Sequence, residues 1–341
     1  MKALITGITG QDGSYLAELL VSKGYAVHGL VRRVSQDDES RLRNLEPLLA
    51  QNRVILHSAD LSDRGAIRRI FDEVAPDEFY HLAGQSHVGL SFEIPESTFM
   101  EVAGATLSLL EICRDLDQPP RFFHAGSSEI FGNPDDLPQS ELTAFRPTSP
   151  YGCAKACSVN LCKVYREAYG LFIASGIAYN HESIRRSGNF VTKKIAGSVA
   201  RLAAGENHIL ELGNLNTRRD WGYAPEFVEG MWRMLQQPQA DEFVFATGEL
   251  TCLRDFVMAA FEAAEIGIEF RGEGAGEVGV DRASGKTLLR VNPQFFRPVD
   301  PCNLVGDPSK AESELGWRPT IKGAALARRL VLDEITARRA N

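Results

Sequence analysis

Lys2-Ala3-Leu4-Ile5-Thr6-Gly7-Ile8-Thr9-Gly10-Gln11-Asp12-Gly13 sets a short apolar run directly against three glycines spaced three apart. Lys2 to Thr6 reads as a buried strand. A helical pattern follows the glycines, with Leu16, Leu19 and Leu20 as its apolar stripe and Gly24 as its stop. Gly7, Gly10 and Gly13 open the turn and let the backbone approach a pyrophosphate at the helix N-terminus. Free N–H groups and the helix dipole favour an anion there. The spacing is G-x-x-G-x-x-G rather than G-x-G-x-x-G. Its place between a first strand and a first helix points to dinucleotide binding.

The alternation continues downstream. A second strand, Ala26 to Val31, ends in Arg32-Arg33, where an NAD site usually carries an acidic residue for the ribose. Arginines there suit a 2′-phosphate, so NADP is the expected cofactor. Ser35 to Arg43 reads as a polar loop. Arg53 to His57 reads as a third strand ending at Ala59-Asp60-Leu61, and Asp60 at that end is placed to face an adenine amino group. Ser62-Asp63 can cap a helix to Val74, and Glu78 to Leu82 forms a fourth strand. The small residues Ala83-Gly84-Gln85-Ser86 after it allow cofactor contact. His81 and His87 read as structural histidines. A helix from Phe99 to Arg114 and a strand from Arg121 to Ala125 complete an α/β, Rossmann-type doubly wound parallel sheet.

Composition narrows the function classes. The chain has 341 residues, 44% hydrophobic and 24% charged, with a net charge of −8. That size suits one large α/β domain with a smaller lobe, and the acidic balance argues against nucleic acid or an anionic membrane as partner. No apolar run is long enough to span a bilayer. The start at Met1 runs straight into strand and turn, leaving no room for a signal peptide. The six cysteines lack metal-ligand pairing, so no metal is expected and a reducing cytoplasm fits.

Chemistry concentrates at two places. The strand ending at Ala125 runs into Gly126-Ser127-Ser128-Glu129, at the sheet edge where doubly wound folds place substrates. Ser149-Pro150 suits the cap and first turn of a helix carrying Tyr151 and Lys155, one turn apart on one face. A lysine beneath a phenol is expected to lower its pKa towards neutrality, making Tyr151 a proton acceptor. Ser127 can hydrogen-bond a substrate oxygen beside it. Glu129, flanked by Ile130 and Phe131, is expected to have a raised pKa and to act as a carbon-acid base.

Thr6 to Leu16, Val31-Arg32-Arg33, Gln85-Ser86-His87-Val88, Ser149-Pro150-Tyr151-Gly152 and Asn180-His181-Glu182-Ser183 together resemble the GDP-mannose 4,6-dehydratases, which are extended short-chain dehydrogenase/reductases. The similarity continues through Asn189-Phe190-Val191-Thr192, Leu212-Gly213-Asn214-Leu215, Arg219-Asp220-Trp221-Gly222 and Ala246-Thr247-Gly248-Glu249. Ser127 stands where that family usually has threonine.

The resemblance implies a redox-neutral cycle on GDP-mannose with NADP, yielding GDP-4-keto-6-deoxymannose. Ser127, Glu129, Tyr151 and Lys155 would be catalytic. At the cofactor it places Gly7, Thr9, Gly10, Gln11, Asp12, Gly13, Arg32, Arg33, Ser35, Asp60, Leu61, Leu82, Ala83, Gln85, Ser86, His181 and Arg186, with Tyr151 and Lys155. On the sugar side it places Ser86, Ser127, Glu129, Asn180, Asn189, Val191, Lys194, Leu212, Gly213, Arg219 and Arg297. It also implies a homodimer or homotetramer. Residues 1–180 would hold the cofactor and 181–341 mainly the nucleotide sugar, with later segments returning to the first domain.

In that second half, helices are expected over Thr192 to Ala204, Pro225 to Gln236 and Leu253 to Ala264. Lys193, Lys194, Arg218 and Arg219 would form a local cationic pocket for the diphosphate. Arg271 to Arg290 reads as an exposed loop or short hairpin. Competing readings are a GDP-4-keto-6-deoxymannose reductase, a dehydratase of another nucleotide sugar, and a non-catalytic NADP-sensing protein. The complete Ser127, Glu129, Tyr151 and Lys155 set argues against the last, because a sensor has no use for an acid–base group.

Overall fold

The computed structural model describes residues 1–32, 39–296 and 304–340. Its centre is a seven-stranded sheet. The strands are β1 (Lys2–Thr6), β2 (Ala26–Val31), β3 (Val54–Ser58), β4 (Glu78–His81), β5 (Arg121–Ser127), β6 (Ile173–Ala178) and a seventh, Glu242–Phe245. Across the sheet the order is seventh strand, β6, β5, β4, β1, β2, β3, and every neighbouring pair is parallel. The winding reverses between β1 and β4, which opens a crevice at their carboxyl ends.

Burial on both faces explains the apolar character of these strands. In β1, Ala3, Leu4 and Ile5 are fully buried. On one face, α1 (Gln11–Ser22) and the helix Ala224–Leu235 pack Leu16, Leu20, Phe227 and Met231 against the sheet. On the other, the helices Arg64–Val74, Ala105–Arg114 and Pro150–Tyr169 bring Phe71, Leu109 and Tyr165 onto Phe79 and Phe122. Each such side chain contributes roughly 1.5–3 kcal/mol of transfer free energy, so the sheet is held from both sides.

A second core lies among the helices Val191–Ala203, Leu253–Ala263 and Gly323–Ala340 and a four-stranded sheet. The expected loop or hairpin at Arg271 to Arg290 is part of that sheet. Val278–Asp281 pairs antiparallel with both Ile268–Arg271 and Thr287–Val291, and the last of these lies parallel to Leu210–Leu212.

Two further expectations change. Glu39–Leu45 is a 3₁₀ turn rather than loop, and Asn44 in it donates to the Thr9 carbonyl at 3.3 Å. The helix expected from Phe99 starts at Pro95 and passes through a π turn at Met100–Gly104. That turn packs Val102 and Ala103 on Tyr151 and Ala154. No helix among the described residues is long and apolar enough to cross a membrane.

Candidate active site

The turn after β1 has the shape that its glycines require. Gly7 has φ +71°, and a Cβ there would lie 2.9 Å from the Ala83 nitrogen. A Cβ on Gly13 would lie 2.3 Å from the Gly7 carbonyl oxygen. Side chains at these two positions would collide with backbone, so glycine is what lets the turn pack against the loop after β4 and against the start of α1. Beside it, the Thr6 hydroxyl oxygen accepts the Leu82 and Ala83 amides at 3.1 Å each.

At the ends of β2 and β3, Arg32 is exposed and ion-pairs with Glu101 at 3.0 Å and more loosely with Asp60 at 3.7 Å. Asp60 also accepts from the Ser62 amide and hydroxyl, and these bonds hold its carboxyl below the usual range. Leu61 packs against the core on that side of the sheet. Gln85 holds its own loop, donating to the His87 carbonyl at 3.0 Å and to Thr98 at 3.2 Å, and Ser86 beside it is exposed. His87 caps the next turn by accepting from the Leu90 amide, and His81 bonds the Thr6 hydroxyl at 2.9 Å. Arg33, Ser35 and Arg297 lie outside the described residues.

Tertiary structure adds a clamp across the start of α1. Gln11 donates to the His181 carbonyl at 2.9 Å and accepts from Ser183 at 2.9 Å. Asp12 meets His181 Nε2 at 2.9 Å, while His181 Nδ1 bonds the Tyr179 carbonyl at 2.7 Å and the ring stacks on Phe227. Burial opposes the Asp12 charge, but His181, Arg186 and Gln11 outweigh it and take the carboxyl down to about 2. For His181, burial favours the neutral ring and Asp12 overcomes it, raising the imidazole's pKa.

This pair should be visible in stability. The Asp12 contribution exists above pH 3.8 and fades as pH falls towards about 2. The His181 contribution is complete below its unfolded value of 6.5 and fades as pH rises through the folded value. Asp12→Asn should therefore cost about 2 kcal/mol near pH 5, with the gap to wild type narrowing at lower and higher pH. Denaturant unfolding of both proteins across that range measures it, and a pH-independent gap would refute the assignment.

The helix bearing Tyr151 begins as its sequence implies. Ser149 accepts from the Gly152 amide at 3.0 Å and Pro150 occupies the first turn. The Tyr151 side chain is buried at the carboxyl end of β5. Burial pushes the phenol up to about 12, the Ser127 hydroxyl opposes that, and the Glu129 charge reinforces it. Glu129 is half-buried, not out in solvent.

The expectation that Lys155 draws the phenol towards neutrality is not met in the protein alone. The ammonium sits 5.8 Å from the Tyr151 ring centroid and donates to the Ala125 carbonyl at 2.6 Å. Lys155 is itself buried, which lowers it to about 8. Desolvation is the largest influence on the phenol.

The sugar-side residues divide into groups. Asn180 lies in register with Trp221 on a short parallel ladder, which brings it near Arg219 and beside His181. Arg186, expected at the cofactor, pairs with Glu182 at 3.4 Å and lies over the Phe190 ring at 3.7 Å, and its charge acts on Tyr151 and Asp12. Asn189 is exposed just before the helix that Val191 opens.

Lys194 sits 3.6 Å over the Phe295 ring, and a Cβ on Gly213 would lie 2.7 Å from the Phe295 carbonyl oxygen. Phe295 thus joins this group, and nothing but its proximity to Arg297 could have pointed to it beforehand. Leu212 is buried in the second core, so only its backbone can reach a ligand. Lys193 does not belong to a cationic pocket: it donates to the Ile184 carbonyl at 2.6 Å and pairs with Glu334. Among the described residues no cluster of His, Cys, Asp and Glu suits a metal.

A family model described as GDP-mannose 4,6 dehydratase matches residues 4–330. GDP-mannose 4,6 dehydratase 2 of Caenorhabditis elegans is 46% identical over 342 residues, covering 98% of this chain and 88% of the relative. GDP-mannose 4,6-dehydratase sdnI of Sordaria araneosa is 45% identical over 336 residues; the match spans 98% of this chain and 61% of that longer protein. Among solved structures, the UDP-glucose 4-epimerase of Thermus thermophilus in complex with NAD superposes with a TM-score of 0.79 at 26% identity, over 98% of this chain and 99% of the epimerase. Matched by that family model over nearly its whole length, the chain belongs to the GDP-mannose 4,6-dehydratase family.

Proposed function

We propose that this protein converts GDP-mannose to GDP-4-keto-6-deoxymannose and water, using NADP that is reduced and reoxidised within each turnover. The observation that carries the proposal is the convergence on one buried phenol: the Ser127 hydroxyl and the Glu129 charge both act on Tyr151, in opposite directions. Oxidation of an alcohol needs a proton acceptor, and elimination needs a separate carboxylate near the acidified carbon. Both are present at the carboxyl end of one strand.

The cofactor cradle fits this reading. Gly7 and Gly13 let the backbone of the turn pack tightly at a helix start that favours anions such as a pyrophosphate. Arg32, with Arg33 next in sequence, favours the 2′-phosphate of NADP over NAD. The chemistry supplied by a bound nicotinamide is reversible storage of one hydride, taken from C4 and given back at C6. The clamp of Asp12 and Gln11 on residues 181–183 fixes the start of α1 against the sugar-side segments.

Tyr151, oriented by Ser127, accepts the C4 hydroxyl proton. The resulting ketone acidifies C5, and Glu129 removes that proton. Protons balance: one leaves O4 and one leaves C5, one departs with the C6 hydroxyl as water, and one returns to C5. On the sugar side, Lys194 and Arg219 supply positive charge for the diphosphate. Purified protein with GDP-mannose and a trace of NADP should accumulate the 4-keto product with no net change in NADPH. Stoichiometric NADPH consumption with a 4-keto substrate would favour the reductase reading instead.

Self-association belongs to the same proposal. A groove of ≈ 550 Å³ is lined by Pro95, Phe99, Met100, Pro150 and Cys153, and Met100 is 65% exposed. A second copy of the chain is the occupant that the family resemblance implies. Light scattering should give two or four times the 37.5 kDa chain mass. A monomer at assay concentration would contradict this part.

A further inference from the structure

A polar row crosses the apolar sheet beneath the catalytic helix. Thr6 is in register with His81, His81 with His124, and His124 with Ser175. In-register residues of neighbouring parallel strands share a face, so the four side chains form one line from β1 to β6. All four are buried, none more than 3% exposed. Four polar groups in the middle of a sheet core are costly unless each is hydrogen-bonded.

In the first half of the row Thr6 and His81 bond each other. The Thr6 oxygen accepts the Leu82 and Ala83 amides, so its hydroxyl proton is free to go to His81 Nδ1 at 2.9 Å. His81 is then the neutral Nε2–H tautomer. In the second half no described protein group completes the bonding. Neither ring nitrogen of His124 has a partner among the described residues, and the His81 ring centroid is 5.9 Å away, too far for a direct bond. The Ser175 hydroxyl lies against the Cys162 thiol without a nitrogen or oxygen partner among the described residues.

Lys155 acts on this line from the helix above. Burial first, and the Lys155 ammonium second, keep both imidazoles neutral. An ammonium has three donors, and the Ala125 carbonyl, on the residue after His124, accepts one of them. A buried ring nitrogen without a protein partner, in the field of a donor-rich cation bonded to the next residue's carbonyl, is a setting in which proteins hold an internal water.

We infer that a buried water bridges the His124 imidazole and the Lys155 ammonium, making His124 a positioning residue that ties the catalytic lysine to the Thr6–His81 line behind the cofactor turn. This rests on the assignment of Lys155 to the catalytic set. The groups facing Lys155 are Tyr151 and Cys162 on its own helix, Asp12 on α1, and His81 and His124 on the sheet. Burial raises Tyr151 and Cys162 and lowers Lys155, so loss of the Lys155 proton gives the rate profile its alkaline limb.

The test compares wild type, His124→Leu and His124→Gln in steady-state turnover of GDP-mannose across pH, with a high-resolution crystal structure of the wild type. His124→Leu should lower kcat at least tenfold, leave KM for GDP-mannose within twofold, and move the alkaline limb down by about one pH unit, because the ammonium loses a polar neighbour. His124→Gln, which can still bond the water, should restore both. A His124→Leu enzyme with the wild-type limb position overturns the inference, as does a wild-type map with no water within hydrogen-bond reach of both His124 and Lys155. Wild-type protein that fails to turn over GDP-mannose instead refutes the proposed function, and the map then still decides on the water.

Discussion

Tyr151→Phe should lower kcat on GDP-mannose by about 10²–10⁴-fold, the range expected when a positioned proton acceptor is removed. The ring is buried against Val102, Ala103 and Ala154, and phenylalanine keeps those contacts. Folding and cofactor retention should therefore survive. Rapid mixing with GDP-mannose should show no transient rise in reduced-nicotinamide absorbance, because the first hydride cannot leave C4 while its hydroxyl keeps the proton. Turnover at the wild-type rate would take Tyr151 out of the mechanism.

The phenol's own position sharpens this expectation. At about 12 in the protein alone, Tyr151 is almost entirely protonated at neutral pH. Burial is the dominant cause, and Lys155 lies over the ring rather than paired with its oxygen. For Tyr151 to accept a proton near neutral pH, as proposed, bound cofactor and substrate have to bring further positive charge to this phenol. Titration of the Tyr151 phenol by difference spectroscopy should move to lower pH on adding NADP.

Glu129→Gln should be nearly as damaging overall yet leave the first half-reaction intact. The amide cannot take the C5 proton, so loss of water should fall by about 10²–10⁴-fold. C4 oxidation should persist, read as reduced cofactor that accumulates on the enzyme. The Glu129 charge is one of the causes that raise the Tyr151 phenol. Its removal favours the phenolate, so oxidation should not slow. Solvent deuterium should no longer enter C5; exchange continuing at the wild-type rate in this variant would remove Glu129 as the base.

The two variants separate the halves of the cycle because their side chains are distinct in chemistry but adjacent in space. Ser127 and Glu129 flank the end of β5, and Tyr151 arrives from the first turn of the following helix. The Gly152 position shows how closely these segments meet: a Cβ there would lie 2.7 Å from the Glu129 carbonyl oxygen. Ser149, which caps the helix on that same Gly152 amide, holds the approach.

Local features of the chain were legible without coordinates. The bounds of β1 and β2, the Ser149 cap and the Asp63 cap follow from apolar runs, turn residues and short polar side chains acting over three or four positions. The placement of Ser127, Glu129 and Tyr151 at one sheet edge follows from the alternation of strand and helix. What pairs across the molecule was not legible. Asp12 and His181 stand 169 positions apart, and nothing local to either marks the other as its partner. Lys193 and Lys194 are neighbours in sequence, yet one is spent on Glu334 and the other lies over Phe295. The line from Thr6 to Ser175 exists only because four strands align in one register. Sequence determines propensity and pattern through near neighbours. Register, burial and the field at a phenol are sums over groups that meet only after the chain has folded.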